Sequence, residues 1–515
     1  MVDVTPNPAP HHGLLSHLSV GSGSSAGISQ SSGTTADPSS PFSALTDDDE
    51  ERRAQMLALL CPSLHEVVLG AGWDFERNGA PSTGTASPNT EGITSPLDQR
   101  SGSPTAPPEV SSTVGAKDLV DALLIRSCKQ GWERSFELHH DWERPTPKPD
   151  SNEVLIRNVA VGLNPVDYKS VLYNFGIADT PWVLGRDVAG VVHAVSESSN
   201  TGFKVGDRVW TCADSRDSRA GAYQRFSIAK AHTLGRIPPN VTDEGAATVG
   251  TGLVTAAVIV YWFFRLQRAE ELGVDRVPRT VPEVEGLVQQ RDRRWILIYG
   301  GGAITGIYAL QLARLSGLRP IVIASAQNFS YLTSIGAEFC VDRFLPEEEL
   351  LDTVRAKTEG QLAFAIDCVG SKTAVVCERT LKEANGDWSG VGQLCCLAGD
   401  PKVKPGEEPA ADLQQRLVRD VKIHKISFST TFYGDERFSR SLLADLDTLF
   451  ASGSLKPAAA QVLPDGLASV RRGLESLRDG TAPRAKKLVV RIADTPDADL
   501  TNLGVRAELS WNGVP

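Results

Sequence analysis

At 515 residues the chain exceeds the roughly 250–300 residues that one hydrophobic core usually fills, so more than one folded unit is expected. Its 41% apolar, 22% charged and 6% aromatic residues exclude collagen, mucin or coiled coil for the whole chain, and 63 acidic against 52 basic residues, a net charge of −11, exclude the footprint of a general nucleic-acid binder. Eight cysteines without a Cys-x-x-Cys pair are too few for a disulfide scaffold, which points to a reducing, cytoplasmic setting and to small uncharged or carrier-bound partners, with no nucleic acid and no membrane.

Residues 1–18 lack the basic segment and apolar run of a secretory signal. Residues 19–40 and 79–115 are rich in Ser, Gly, Thr and Pro. In the second stretch only Ile93, Leu97, Val110 and Val114 are large and aliphatic, too little apolar surface to offset the entropy of ordering. Between them Asp47-Asp48-Asp49-Glu50 precedes an apolar run at 56–68, broken at Pro62, which reads as a short helix with an acidic start. Residues 1–116 are therefore expected to form a disordered, low-complexity extension.

The folded body is expected from residue 117. Val154-Leu155-Ile156, Val159-Ala160-Val161 and residues 188–195 read as strands, and Phe203 to Val209 as a turn into another. Short strands split by Gly and Asp predict a compact, barrel-like β domain over 117–250. The uncharged run at 245–264 carries several glycines and threonines and reads as a helix buried between domains rather than a membrane span. From residue 251 the rhythm changes. Trp295 to Tyr299, Ile321 to Ala324, Phe364 to Val369 and Gln393 to Leu397 are apolar strand runs, residues 304–316 have helical periodicity, and strands alternating with helices predict a doubly wound parallel sheet over 251–426. The charged stretch 265–294 reads as a solvated loop. The run at 444–450, the helix-like 467–477 and the strand Lys487 to Ile492 are expected to return the chain to the first domain over 427–492, with a polar tail at 493–515.

Gly300-Gly301-Gly302-Ala303-Ile304-Thr305-Gly306 lies between a strand and a helix. Such a turn lets the backbone approach a pyrophosphate, whose charge is favoured by the free N–H groups and positive end of the helix. The match to G-x-G-x-x-G is partial, carried by Gly301, Ala303 and Gly306. An NAD site usually places an acid at the end of the second strand to accept from ribose hydroxyls. Here Ala324 is followed by Ser325, Ala326, Gln327 and Asn328, with no acid. Ser325 and Asn328 can donate to a 2′-phosphate, and Arg343 either adds positive charge from the next loop or is a solvated surface cation. NADPH is the expected cofactor.

Several motifs together resemble the medium-chain dehydrogenase/reductase superfamily. They are Gly162-Leu-Asn-Pro-Val-Asp-Tyr-Lys169, Leu184-Gly-Arg-Asp-Val-Ala-Gly190, Val205-Gly-Asp-Arg-Val209, the glycine turn, and Asp367-Cys-Val-Gly370, in that order over about 117–492. Tyr299-Gly-Gly-Gly, Leu315-Ser-Gly317, Ser325 to Phe329 and Gly336-Ala-Glu338 are most similar to the trans-acting enoyl reductases of fungal polyketide biosynthesis. The resemblance implies an α/β fold in which a GroES-like β-barrel domain accompanies a Rossmann domain, and an enoyl reductase that meets a carrier-bound acyl chain, with a polyketide synthase as partner. It implies cofactor contacts at Val166, Asp167, Tyr168 and Lys169, at the glycine turn, and at Leu397 and Ala398. Near the last strand, Arg484-Ala485-Lys486 stands where many relatives carry Ser-Gly-Lys.

In zinc alcohol dehydrogenases of the superfamily the ligands would fall near Asn164 and Arg186. Neither is a thiolate or imidazole, and only Cys212 lies between Trp210 and Gln224, so no metal is expected. What remains is hydride addition to an electron-poor carbon. Lys169 is the residue implied to stand beside the developing charge, with a surface lysine as the plain alternative. Tyr168 and Tyr173 are both possible proton donors. Asn164 and Asp167 are expected to hold the turn. Thr255 and Ala256 on an apolar helix, with Phe432 and Tyr433, resemble the wall of the acyl channel, and packing is the competing role. A quinone or enone reductase, and a non-catalytic NADPH-binding regulator, are the other functional readings.

Overall fold

The computed structural model describes residues 119–197, 200–268, 294–383, 390–402 and 419–498. The expected extension at 1–116, its short helix at 56–68, most of the charged stretch 265–294 and most of the tail lie outside them.

Eight strands come from the first part of the chain: β1 (Leu119–Ile125), β2 (Phe136–Glu143), β3 (Glu153–Gly162), β4 (Trp182–Val183), β5 (Asp187–Val195), β6 (Arg208–Cys212), β7 (Phe226–Lys230) and β8 (Leu234–Arg236). The two segments read separately at 154–161 are one strand. Its sequence, Glu-Val-Leu-Ile-Arg-Asn-Val-Ala-Val-Gly, is buried almost throughout, because β3 pairs antiparallel with both β5 and β7. Its register with β5 shifts around Asn158. There the buried Asn158 amide donates to the Gln224 carbonyl at 2.7 Å and the Ser227 hydroxyl at 2.8 Å, which ties β3 to the turn entering β7. A separate three-stranded sheet, β2-β1-β4, shares an apolar core with this sheet through Leu123, Leu124, Ile125, Phe136 and Leu138.

The second part forms six parallel strands: β9 (Trp295–Tyr299), β10 (Arg319–Ala324), β11 (Phe339–Asp342), β12 (Leu362–Asp367), β13 (Gly392–Cys396) and β14 (Val421–His424), in the order β11-β10-β9-β12-β13-β14. The central runs Trp-Ile-Leu-Ile, Ile-Val-Ile-Ala and Leu-Ala-Phe-Ala-Ile are buried, as a parallel sheet covered on both faces requires. The chain proceeds outward from β9 to β11, then crosses back to β12 and proceeds the other way. The crevice outside the carboxyl ends of β9 and β12 is the place where such a sheet receives a ligand.

Two further strands, β15 (Ala459–Leu463) and β16 (Lys486–Arg491), rejoin the first sheet, β16 running antiparallel to β3 and parallel to β15. Residues 245–264 fold as the end of a short helix capped by Thr242, a helix at Gly250–Ala257 and a π-helical segment at Val258–Phe263. Leu253, Val254, Ala256, Ala257, Val258 and Ile259 are fully buried there. Gly252 permits the approach of the Ile304–Leu315 helix, since a Cβ on it would stand 2.7 Å from Ile304 Cγ2. No helix among the described residues is long and apolar enough to cross a membrane.

Candidate functional site

The glycine turn is shaped by close packing. Gly300 adopts φ +85, a backbone conformation that side chains resist, and its N–H donates to the Ile323 carbonyl at 2.9 Å. A Cβ on Gly301 would meet Val322 Cγ1 at 2.0 Å, one on Gly302 would meet Asn328 Nδ2 at 2.9 Å, and one on Gly306 would meet the Gly300 carbonyl at 2.6 Å. The Ile304–Leu315 helix begins at Ala303 without a side-chain cap, so its first N–H groups have no side-chain acceptor. These residues fit a pyrophosphate: a turn whose glycines let its bare backbone pack closely on β10 and the helix, beside uncapped helix donors.

Ser325 begins a single turn, Ala326–Asn328, at the end of β10, where Ala326 and Gln327 are exposed. The Arg343 N–H donates to the Ala324 carbonyl at 3.0 Å, which brings Arg343 to the same sheet edge, with its guanidinium 4.5 Å from the centre of the exposed Phe344 ring. Leu397 lies at the end of β13, its N–H donating to the Asp367 carbonyl at 2.9 Å, with Ala398 next to it. Asp367 folds the loop between them by accepting from Gly370 N–H at 2.9 Å, and burial pushes its carboxyl up to about 6. The structure therefore gathers Gly300 to Thr305, Ser325 to Asn328, Arg343, Leu397 and Ala398 along one edge of the parallel sheet.

The other group lies in the first sheet. Asn164 caps the Pro165–Tyr173 helix, on which Val166, Tyr168 and Lys169 are partly buried. Asp167, expected among the cofactor contacts, is enclosed instead. Its carboxylate accepts from the Asn164 N–H at 2.9 Å and from the Tyr223 hydroxyl at 2.7 Å. Burial raises it to about 6, against the Tyr223 bond and the charge of Arg186, and burial likewise pushes the Tyr223 phenol up, helped by Asp167. Behind this helix the Lys487 ammonium donates to Asn164 Oδ1 and lies 2.7 Å from Asp187 Oδ2, with both charges buried. Asp187 Oδ1 accepts from the Thr251 N–H and hydroxyl, each at 2.6 Å. Among the described residues no group of three or more His, Cys, Asp or Glu is gathered as a metal would need.

Of the expected channel wall, Ala256 and Phe432 are fully buried among core side chains, which is a packing role. Thr255 is 8% exposed and its hydroxyl donates to the Thr251 carbonyl at 2.7 Å. Tyr433 keeps part of its surface. Its hydroxyl donates to the Ala213 carbonyl at 3.0 Å, lies 3.4 Å from Cys212 Sγ, and has the Arg216 guanidinium over its ring. Sequence reasoning passed over Lys487 and Asp187. The available signal was Lys487 leading directly into the apolar Leu488-Val489-Val490, which carries its charge inward.

Residues 150–260 match the family described as the alcohol dehydrogenase GroES-like domain. The chain is 27% identical over 359 residues to a trans-enoyl reductase of Penicillium crustosum, covering 69% of this chain and 93% of that one. It is 28% identical over 367 residues to a trans-enoyl reductase of Petromyces alliaceus, covering 68% and 92%. A mycobacterial protein solved in complex with NADPH superposes with a TM-score of 0.55 at 22% identity, over 72% of this chain and 99% of that one. The chain has a medium-chain-reductase α/β fold, a GroES-like domain together with a parallel-sheet Rossmann domain. In this fold the GroES-like unit carries Lys169, Arg186 and the Lys487–Asp187 pair, and the Rossmann unit carries the glycine turn.

Proposed function

We propose that this protein is a trans-acting enoyl reductase that uses NADPH to reduce the α,β-double bond of a carrier-bound acyl thioester in fungal polyketide biosynthesis. The observation that carries the reading is the pairing of a tightly packed glycine turn with a β10 end, Ser325 to Asn328, that offers hydroxyl and amide donors and no carboxylate. The named activity of the two fungal relatives supports the reaction class. NADPH, when bound, supplies hydride to an electron-poor β-carbon. The chain's own part is to hold pyrophosphate at the turn, to meet the 2′-phosphate with Ser325, Asn328 and Arg343, to place Lys169 near the reacting end, and to exclude water with the apolar helix at 250–263.

Incubation of the purified protein with enoyl thioesters and with quinones, following nicotinamide absorbance, tests the reading. Thioester-dependent oxidation of NADPH is expected, with NADPH bound at least tenfold more tightly than NADH, since each charge-assisted contact contributes about 1.5–3 kcal/mol and no carboxylate opposes it. Oxidation with quinones alone would assign the site to small free substrates.

A further inference from the structure

Arg186 stands between Gly185 and Asp187 at the start of β5, where its carbonyl accepts from the Ala213 N–H at 2.6 Å. Gly185 has φ +93, and the Tyr223 ring fills the space a side chain there would take, so the backbone is held in place. The side chain is partly buried. Its charge reaches Asp167 and Tyr223 on one side and Cys212 and Tyr433 on the other.

Every carboxylate nearby is committed elsewhere. Asp187 holds Lys487 and Thr251, Asp167 accepts from Asn164 and Tyr223, and Asp214 is bound by Arg216 at 2.6 and 2.7 Å. Among the described residues no hydrogen bond or ion pair reaches the Arg186 guanidinium. With the neighbouring carboxylates engaged by other groups, its planar fork of donors is left to gain most from an oxygen anion that arrives with a ligand.

We propose that Arg186 binds the carbonyl oxygen of the acyl thioester and holds the negative charge that forms there, an inference that rests on the enoyl-reductase reading. Hydride arriving at the β-carbon forms a C–H bond and drives the double-bond electron pair toward the α-carbon and carbonyl. The resulting enolate oxygen carries the charge facing Arg186, and the α-carbon then takes a proton from water. The acyl chain is reduced and the nicotinamide donor oxidised. Preorganised donors aimed at such an oxygen are among the largest contributions an active site makes.

Hexanoate, a carboxylate on an acyl chain, reads the site without turnover. Calorimetry on the full-length protein saturated with NADP+ should show at least a tenfold loss of hexanoate affinity in Arg186→Gln, a smaller loss in Arg186→Lys, and NADP+ affinity unchanged within twofold. With 2-hexenoyl pantetheine, Arg186→Gln should lower kcat 10- to 1000-fold while KM moves less than threefold, and Arg186→Lys should recover part of the rate. No hexanoate binding, or equal binding by wild type and Arg186→Gln, overturns the inference. Thioester reduction with an Arg186-independent kcat overturns it and leaves the enoyl-reductase reading standing. Arg186-dependent hexanoate binding without any thioester reduction overturns the enoyl-reductase reading and reassigns the guanidinium to a carboxylate-bearing substrate.

Discussion

Glu153 is a carboxylate on which burial and pairing compete. Burial alone would raise its pKa, but the Arg219 guanidinium, the Lys148 N–H and the charge of Lys230 bring it down to about 2. A folded-state pKa below the unfolded value contributes stability that is present above the unfolded pKa and lost as pH falls toward the folded one. Glu153→Gln should therefore cost up to about 3 kcal/mol at pH 7, and the gap to wild type should narrow as pH falls from about 5 toward 2. Urea midpoints at several pH values measure it; a gap that stays constant to pH 3 refutes it. Lys169 is argued at the same scale. Lys169→Ala should lower turnover at saturating cofactor by about 10- to 1000-fold, with a melting temperature within a few degrees of wild type; unchanged turnover would return Lys169 to the surface-lysine role. Local motifs single out Lys169, Ser325 and the glycines in the sequence. The Lys487 ammonium was not, because its partners Asn164 and Asp187 are hundreds of residues earlier, and only strand pairing brings them together.

The glycine turn and the segment before β16 meet through one hydrogen bond, from the Ala485 N–H to the Gly302 carbonyl at 3.2 Å. Ala485 makes that bond with φ +56, in the left-handed region. A residue with a Cβ pays about 1–2 kcal/mol there, and glycine does not. Ala485→Gly should thus raise stability by about 1 kcal/mol at most, offset in part by the looser unfolded chain, and leave cofactor affinity unchanged. A fall in the thermal midpoint would mean that Ala485 packs favourably enough to outweigh its backbone. Strands differed in how readily they could be read. β9, β10, β12 and β13 are continuous apolar runs, and the helix at 304–315 has a clear period. The sequence reading left out β2, β4, β7, β8, β11, β14 and β15, because they are short or half exposed, as in the pattern of β2, so no strong alternation marks them. The π-helical segment at Val258–Phe263 has the same apolar composition as an α-helix, and packing alone distinguishes it.

The described body contains all three sheets and the residues that the proposed chemistry uses. Its first strand begins at Leu119. The composition of residues 1–116 leaves little apolar surface to contribute to that body, so a protein beginning at Ala116 should melt cooperatively within a few degrees of full length and bind NADPH equally well. Loss of soluble expression on that truncation would show that the apolar run at 56–68 packs on the body. The overall plan, a β domain followed by a doubly wound sheet and a return strand, was legible in the order of strand runs and turns. The seat of Arg186 was not, since its meaning depends on which neighbouring carboxylates are already engaged.

The return of β16 to β3 also bears on how the chain is made. Lys487 and Asn164 are 323 residues apart. At a synthesis rate of roughly 5–20 residues per second, Asn164 and Asp187 leave the ribosome roughly 15 to 65 seconds before the ammonium that bonds the one and neutralises the other. During that interval β9 to β14 can already form their own sheet, while β3, already paired with β5 and with β7 at Glu153–Arg157, waits with Ala160–Gly162 unpaired on one edge and Asp187 without its counter-ion. The nascent β domain is thus completed last, and a release of translation before Lys487 would leave β3 without β16 and Asp187 without its counter-ion.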